Sequence, residues 1–228
     1  MRNETPEALA SEHGRPRLDA EIIVSNVFAG LSMSLDGFIA GPNVGIDNPL
    51  GDGGEKLHRW MYGLASWREP QGLTGGRTNE DSQVIDESGA RSGAFVMGRR
   101  MFDTGEGPWG DNPPFRKPVF VLTHRPREVL AKEGGTTFTF VTDGIESAVA
   151  QARGAAGERD VCVSGGPEAV QQALAARLLD DLEIHLVPVL LGAGTRLFDR
   201  IDNPDIRLET NRVLESPYVT HVRCRVLR

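Results

Sequence analysis

Short apolar runs bounded by glycine, proline and charged residues alternate with amphipathic stretches along most of the chain, and that alternation sets the expected fold. The run from Ile22 to Leu31 is too β-branched and too interrupted by glycine for a good helix, so it reads as a buried strand. Punctuation follows: Gly37, Gly41, Gly45, Gly51, Gly53 and Gly54, with Pro42 and Pro49, mark a long mobile loop of the kind that covers active sites. From Glu55 to Trp67, the residues Leu57, Trp60, Met61 and Leu64 fall on one helical face. Gln71 to Arg77 is a second glycine-rich loop, and Asn79 to Arg91 reads as a helix with Asn79 as its cap.

The second half is more regular. Ala94 to Met97, Pro118 to Leu122, Thr137 to Val141 and Asp160 to Ser164 are short apolar strands. Ile145, Ala148, Val149 and Ala152 form a helical stripe between the last two. Beyond Ser164, the residues Ala169, Val170, Ala173, Leu174 and Leu178 repeat at helical spacing, with Pro167 where a first turn tolerates it. Leu182 to Leu191, Ile206 to Glu215 and Tyr218 to Val226 are three further strands. The order implies an α/β domain whose mainly parallel central sheet carries helices on both faces and antiparallel strands at its C-terminal edge.

At 228 residues the chain suits one domain, taken as 21–228, after a polar, Pro-containing tail at 1–20 that lacks the apolar stretch of a signal peptide. No run approaches a membrane span. With 25 basic against 32 acidic residues, and the basic ones scattered, nonspecific nucleic-acid binding loses its driving force. Cys162 and Cys224 match no metal-ligand or disulfide pattern; they read as buried thiols, no metal is expected, and the cytoplasm is the expected compartment. The terminal edge strands lead to the expectation of a homodimer.

The chemistry concentrates at strand ends. Val161 to Ser164 runs into Gly165-Gly166-Pro167-Glu168, where paired glycines at a helix start either admit a phosphate to the backbone or serve a tight turn. Ala94 to Met97 ends in Gly98-Arg99-Arg100, two guanidinium groups that either sit in solvent or grip phosphate oxygens. Leu122-Thr123-His124-Arg125 adds a hydroxyl and basic groups at a third strand end. Ligands of open α/β sheets lie outside the carboxyl ends of strands, so the three together suggest a nucleotide with several phosphates.

Five motifs carry a resemblance: Met33-Ser34-Leu35-Asp36-Gly37-Phe38-Ile39-Ala40-Gly41, Val96-Met97-Gly98-Arg99-Arg100-Met101-Phe102, Val121-Leu122-Thr123-His124-Arg125, Ser164-Gly165-Gly166, and Leu190-Leu191-Gly192-Ala193-Gly194-Thr195-Arg196-Leu197-Phe198. In this order they resemble the dihydrofolate-reductase-like superfamily, and within it the reductase domain of bifunctional riboflavin-biosynthesis deaminase-reductases, over roughly residues 22–227. The resemblance implies an NADPH site. Arg99 and Arg100 would hold the 2′-phosphate and pyrophosphate, Thr123 and His124 the adenosine phosphate end, and Gly165 and Gly166 the pyrophosphate, with Gly98, Arg125 and Ser164 also in the cofactor site; Ser32, Ile39 and Ala40 would flank the nicotinamide. No zinc-deaminase signature is present, so deamination is not expected.

An NADPH-dependent reductase of a small nitrogen heterocycle, similar to 5-amino-6-(5-phosphoribosylamino)uracil reductase, is the expectation; the alternatives are a pterin or dihydrofolate-type reductase and a nucleotide-binding protein without catalysis. Reduction of an imine needs a proton as well as a hydride. The candidates are Asp36, Glu55 and His58, although Asp36-Gly37 suits a turn and His58 a solvated helix surface. His185, in mid-strand, reads as structural. Trp109 either stacks on a flat substrate or anchors a loop, and Gly192 and Gly194 turn the chain beside the substrate.

Overall fold

The computed structural model describes residues 25–199, 201 and 205–227; the expected tail at 1–20 and the first residues of the strand expected from Ile22 lie outside them. The strands are β1 (Val27–Ser34), β2 (Phe38–Ala40), β3 (Ser92–Gly98), β4 (Pro118–Leu122), β5 (Leu130–Ala131), β6 (Thr137–Val141), β7 (Asp160–Gly165), β8 (Asp181–Val187), β9 (Thr195–Arg196), β10 (Arg207–Glu215) and β11 (Thr220–Leu227). The helices are α1 (Arg59–Tyr62), α2 (Ala65–Arg68), α3 (Glu80–Arg91), α4 (Arg99–Trp109), α5 (Ile145–Ala156) and α6 (Pro167–Ala175). Nine strands form one sheet in the order β10-β11-β8-β1-β7-β3-β4-β6-β5, and β2 pairs with β9 in a small second sheet. The run from β8 to β6 is parallel, and the C-terminal β10 and β11 are antiparallel, as the strand pattern implies. Among the described residues no helix is long and apolar enough to cross a membrane.

One face of the sheet is aliphatic. Val27, Ala29, Ala94, Val96, Val161 and Val163 meet the stripe Ala148, Val149 and Ala152 of α5 and Val170, Ala173 and Leu174 of α6. Parallel strands buried on both sides favour such β-branched runs, and alanines at the helix contacts let α5 and α6 lie close. On the opposite face, Met97, Phe102, Val119, Val121 and Phe138 form an aromatic core under α4.

The same face carries a polar layer on β8 and β11. Register places His221 opposite His185, Arg223 opposite Glu183, and Arg225 opposite Asp181. From the end of α3, Arg91 donates to Asp160 at 2.8 Å, to Asp181 at 3.0 Å and to Glu183 at 2.8 Å, its guanidinium lying 3.9 Å from the Phe28 ring centroid. Arg223 approaches Glu183 at 2.8 Å as an ion pair rather than an aligned hydrogen bond. Burial raises the Glu183 pKa, and these two cations oppose that rise. Cys162 lies under this layer, its thiol pushed up to about 12 by burial, whereas Cys224 is half-buried rather than buried.

His221 Nε2 lies 3.0 Å from Asp81 Oδ1, and its Nδ1 lies 2.8 Å from His185 Nδ1. A carboxylate only accepts, so His221 donates through Nε2, and its bare Nδ1 accepts from His185. His185 is thus structural, as expected, and burial holds its pKa at about 3. Its folded pKa is depressed below the ordinary 6.5, so its contribution is present above pH 6.5 and is lost as pH falls toward 3. Lowering the pH from 7 to about 5.5 should remove roughly 1 to 1.5 kcal/mol through this group, a fall of about 2–6 °C in Tm for a domain of this size. Scanning calorimetry of the protein and of His185→Gln checks this; identical pH slopes for both would assign the loss elsewhere.

Three segments differ from the pattern. The helix expected over Glu55 to Trp67 is a 3-10 turn at Gly54–Leu57 followed by the separate α1 and α2. Arg77 causes the break: its N–H donates to the Gly63 carbonyl at 2.8 Å and its carbonyl accepts from Ala65 N–H at 2.9 Å, so Leu64 is drawn into extended backbone. The apolar face is nevertheless as expected, with Leu57, Trp60 and Leu64 buried. The loop expected to be mobile between Gly41 and Gly54 is stitched: Gly41 N–H donates to Leu50, Asp52 N–H donates to Pro42, and the Asn43 and Asn48 amides both donate to the Asp52 carboxylate. Finally, α4 is not among the expected elements, although Met101, Phe102, Gly105 and Trp109 fall on one helical face. Gly105 is required there because a Cβ would overlap the Trp109 ring one turn on.

Candidate functional site

The parallel strands β1, β3, β4, β6 and β7 end on one side of the sheet, and a cavity of about 920 Å³ lies outside those ends. Two helices begin on its wall. Gly98 is the N-cap of α4 and Gly166 the N-cap of α6, and neither helix has a side-chain cap. The two starts abut: a Cβ on Gly98 would sit 3.5 Å from the Gly166 nitrogen. Uncapped N–H groups and two positive dipole ends meeting at one spot favour an anion there. The Gly165–Gly166 peptide is cis. The two glycines answer different needs. Gly165 has φ +134°, a conformation open to glycine, and a Cβ would come within 3.1 Å of Met101 Sδ; Gly166 has φ −68°, and a Cβ would meet only Glu168 Oε2 at 3.7 Å.

The cations of the wall are ordered around one carboxylate. Arg99 Nε donates to Asp103 Oδ1 at 2.6 Å, and Arg125 reaches Asp103 Oδ2 at 3.3 Å, so Asp103 holds two guanidinium groups side by side. Arg100 faces the other way, 3.9 Å from Glu168 in the first turn of α6, and is 63% exposed, which leaves its donors available. Arg125 N–H donates to Thr123 Oγ1 at 3.1 Å, which fixes the turn that presents His124.

Further along α4 the wall changes character. Met101, Thr104, Gly105, Pro108 and Trp109 line the cavity from this helix. Also on the wall are Val44, Pro49 and Leu50 of the stitched loop, His58, Met61, Tyr62 and Trp67 of the broken helical segment, and Gln71 just beyond it. Trp109 packs edge-on against Phe115, with ring centroids 4.9 Å apart, as a loop anchor would, and it also lines the cavity. His58 is not the solvated surface histidine its helix position suggests: at the N-cap of α1 it lines the cavity, and desolvation holds its pKa down at about 4. Burial raises the Tyr62 pKa.

The structure gathers most of the expected cofactor residues onto this wall: Ile39 and Ala40; Gly98, Arg99 and Arg100; Thr123, His124 and Arg125; and Ser164, Gly165 and Gly166. Ser32 is not on it. Its hydroxyl is buried and accepts from Trp60 Nε1 at 3.1 Å. Asp36 is a turn device: its carboxylate accepts from Leu191 N–H at 3.2 Å and Gly192 N–H at 2.7 Å, and with a hydrogen bond from Ser34 as the largest cause its pKa is pushed down to about 2. Glu55 pairs with Arg59 at 2.9 Å, off the cavity. Gly192 serves that Asp36 turn, and Gly194 is required because a Cβ would collide with the Ala40 carbonyl oxygen; neither lines the large cavity. Asp36 and Glu55 are therefore removed as proton donors by their placement. Tyr62, Trp67 and Gln71 were not singled out from sequence; Trp67 and Gln71 follow the break at Gly63 and Leu64, which no local pattern signals.

A family model of the RibD C-terminal domain matches residues 25–222. No curated protein matches the chain. Among solved structures, the chain is similar to a Shewanella sp. PV-4 protein described as belonging to riboflavin biosynthesis, at 21% identity over 89% of this chain and 99% of that one, with a TM-score of 0.64. It is also similar to a diaminohydroxyphosphoribosylaminopyrimidine deaminase/5-amino-6-(5-phosphoribosylamino)uracil reductase from Thermotoga maritima, at 15% identity over 89% of this chain and 57% of that one, with a TM-score of 0.56. Dihydrofolate reductase from Enterococcus faecalis, complexed with NADP(H) and RAB-propyl, matches at 14% identity over 88% and 96%, with a TM-score of 0.51. The fold is dihydrofolate-reductase-like.

Proposed function

Because the chain belongs to the family of the RibD C-terminal domain, we propose that it is an NADPH-dependent reductase of a small nitrogen heterocycle. The observation that carries this reading is one continuous cavity with two chemically different ends: abutting helix starts ringed by Arg99, Arg100 and Arg125, and an uncharged pocket beyond them. The residues fit the cofactor. Gly98, Gly165 and Gly166 leave the backbone bare where a pyrophosphate would lie, Arg100 stands beside it, and Arg99 with Arg125 would take the 2′-phosphate. Ile39 and Ala40 would form the apolar wall beside the nicotinamide. When bound, NADPH supplies the hydride.

The chain's own part is binding, orientation and exclusion of water. His58, with its pKa near 4, is a neutral imidazole at neutral pH, so it acts as a hydrogen-bond partner that orients the heterocycle rather than as a stored acid. The product's proton then comes from water. It follows that kcat should show no inflection between about pH 6 and 8 attributable to His58. A pH–rate profile of the protein beside His58→Gln checks this; an inflection near 6.5 that disappears in the variant would restore His58 as the acid.

Oxidation of NADPH, followed at the nicotinamide absorbance with a panel of aminopyrimidines and pterins, tests the reading itself. Turnover with none of them, together with tight NADPH binding, would favour the reading without catalysis. The homodimer remains part of the proposal: β10 is the outer strand of the sheet, with Leu208 and Val213 exposed. Sedimentation showing only monomer at micromolar concentration would remove it.

A further inference from the structure

The two ends of the cavity are spaced along α4. Arg99 and Arg100 sit in its first turn and Trp109 at its last residue, and at 1.5 Å per residue they are about 14 Å apart along the helix axis. Among the described residues, the charged side chains of the cavity wall other than histidine are Arg99, Arg100, Arg125 and Glu168, all at the strand-end half. The half beyond is closed by Pro49, Leu50, Met61, Trp67 and Trp109, and its polar groups are the His58 imidazole, the Tyr62 hydroxyl, the Gln71 amide and the Thr104 hydroxyl. The first is neutral at neutral pH because desolvation lowers its pKa, and the phenol keeps its proton because burial raises its pKa. Thr104 already donates to the Arg100 carbonyl at 3.0 Å, which leaves its oxygen as an acceptor.

Four nearby arginines are engaged away from this pocket. Arg59 pairs with Glu55, and Arg68 donates to the Thr74 and Gly75 carbonyls. Arg77 lies over the Tyr218 ring, and Arg116 reaches the Pro70 carbonyl. A phosphate seated in this half would lose its hydration without gaining a cation, whereas a flat neutral ring would exchange water for aromatic and thioether surface while its amide edge met Gln71, Tyr62 or His58.

We propose that the substrate is an uncharged, flat heterocycle without a phosphate group, which sets this chain apart from a reductase of a phosphoribosylated pyrimidine. The inference rests on the reductase reading, since that reading assigns the cationic half to the cofactor. A calorimetric comparison in the presence of saturating NADP⁺, which occupies the arginines, separates the two. The probes are lumazine, 5-amino-6-(ribosylamino)uracil and the 5′-phosphate of the latter. Lumazine and the unphosphorylated pyrimidine should bind, and the phosphate should weaken binding, by about tenfold or more. A phosphate that leaves affinity equal or tightens it, or an absence of binding by both uncharged probes, overturns the proposal. Failure of NADP⁺ itself to bind would instead overturn the reductase reading; a phosphorylated ligand that binds more tightly and drives NADPH oxidation would overturn the substrate class alone.

Discussion

Replacing Arg99 by alanine is expected to weaken NADPH by about 10- to 150-fold, the 1.5 to 3 kcal/mol of a hydrogen bond to a charged group, while leaving NADH within about threefold. The difference between the cofactors is one 2′-phosphate. Asp103 fixes Arg99 and Arg125 as a pair, so a phosphate between them would meet two pre-set guanidinium groups, and binding would not have to order either one. In the variant, Asp103 keeps Arg125 as its partner, so the carboxylate is not stranded and the melt should change little. Asp103→Asn supplies the complement: both arginines remain but lose their anchor, and NADPH should weaken by a smaller factor than in Arg99→Ala. Titration of both cofactors into both variants reads the outcome, and an equal loss of NADPH and NADH in Arg99→Ala would remove Arg99 from the 2′-phosphate.

What the sequence disclosed follows from how local each signal is. Strand β4 and strand β6 are bounded at the residues the apolar runs indicate, and the Asn79 cap is completed by Ser82 in a reciprocal capping box. Periodicity also places the stripe of α5 against the sheet, because one helix face and one strand face are enough to define that contact. Helix α4 is the counterexample. Gly105, Gly107 and Pro108 lower its helical propensity, and it forms because Phe102 and Trp109 pack against Phe138, about thirty residues on, with Phe115 beside Trp109.

The two halves of the site divide in the same way. The half proposed for the cofactor is written in short motifs at strand ends, where a glycine or arginine lies within a few residues of its own strand, and all of the residues expected there but Ser32 reach the wall. The uncharged half depends on a long-range event: the pairing of Arg77 with Gly63 and Ala65 ends the periodic helix between α1 and α2, so Trp67 and Gln71 reach the wall from a different element than His58 and Tyr62. The turn reading of Asp36 holds, but its partners are not local. An acid near a glycine-rich segment looks available until Leu191 and Gly192, more than 150 residues away, bring the N–H groups that consume it.

A sharper division is expected between the adjacent glycines. Gly166→Ala should give a protein whose melting point lies within about 2 °C of the parent, because φ −68° suits any residue and a Cβ there meets only the Glu168 carboxylate at 3.7 Å. The reduced freedom of the unfolded chain favours the alanine, and its poorer fit as an N-cap opposes that gain. Affinity should behave differently. The same methyl group projects where a pyrophosphate would approach the start of α6, so NADPH should weaken by at least about tenfold. Gly165→Ala is the control with the opposite structural cost, since φ +134° and the Met101 sulfur at 3.1 Å both resist a side chain; its melting point should fall by several degrees, about 1 kcal/mol or more. Calorimetric titration beside a thermal melt without cofactor gives both numbers for each variant. If Gly166→Ala bound NADPH as tightly as the parent, the abutting helix starts would be a packing arrangement alone, and the pyrophosphate would have to lie elsewhere on the wall.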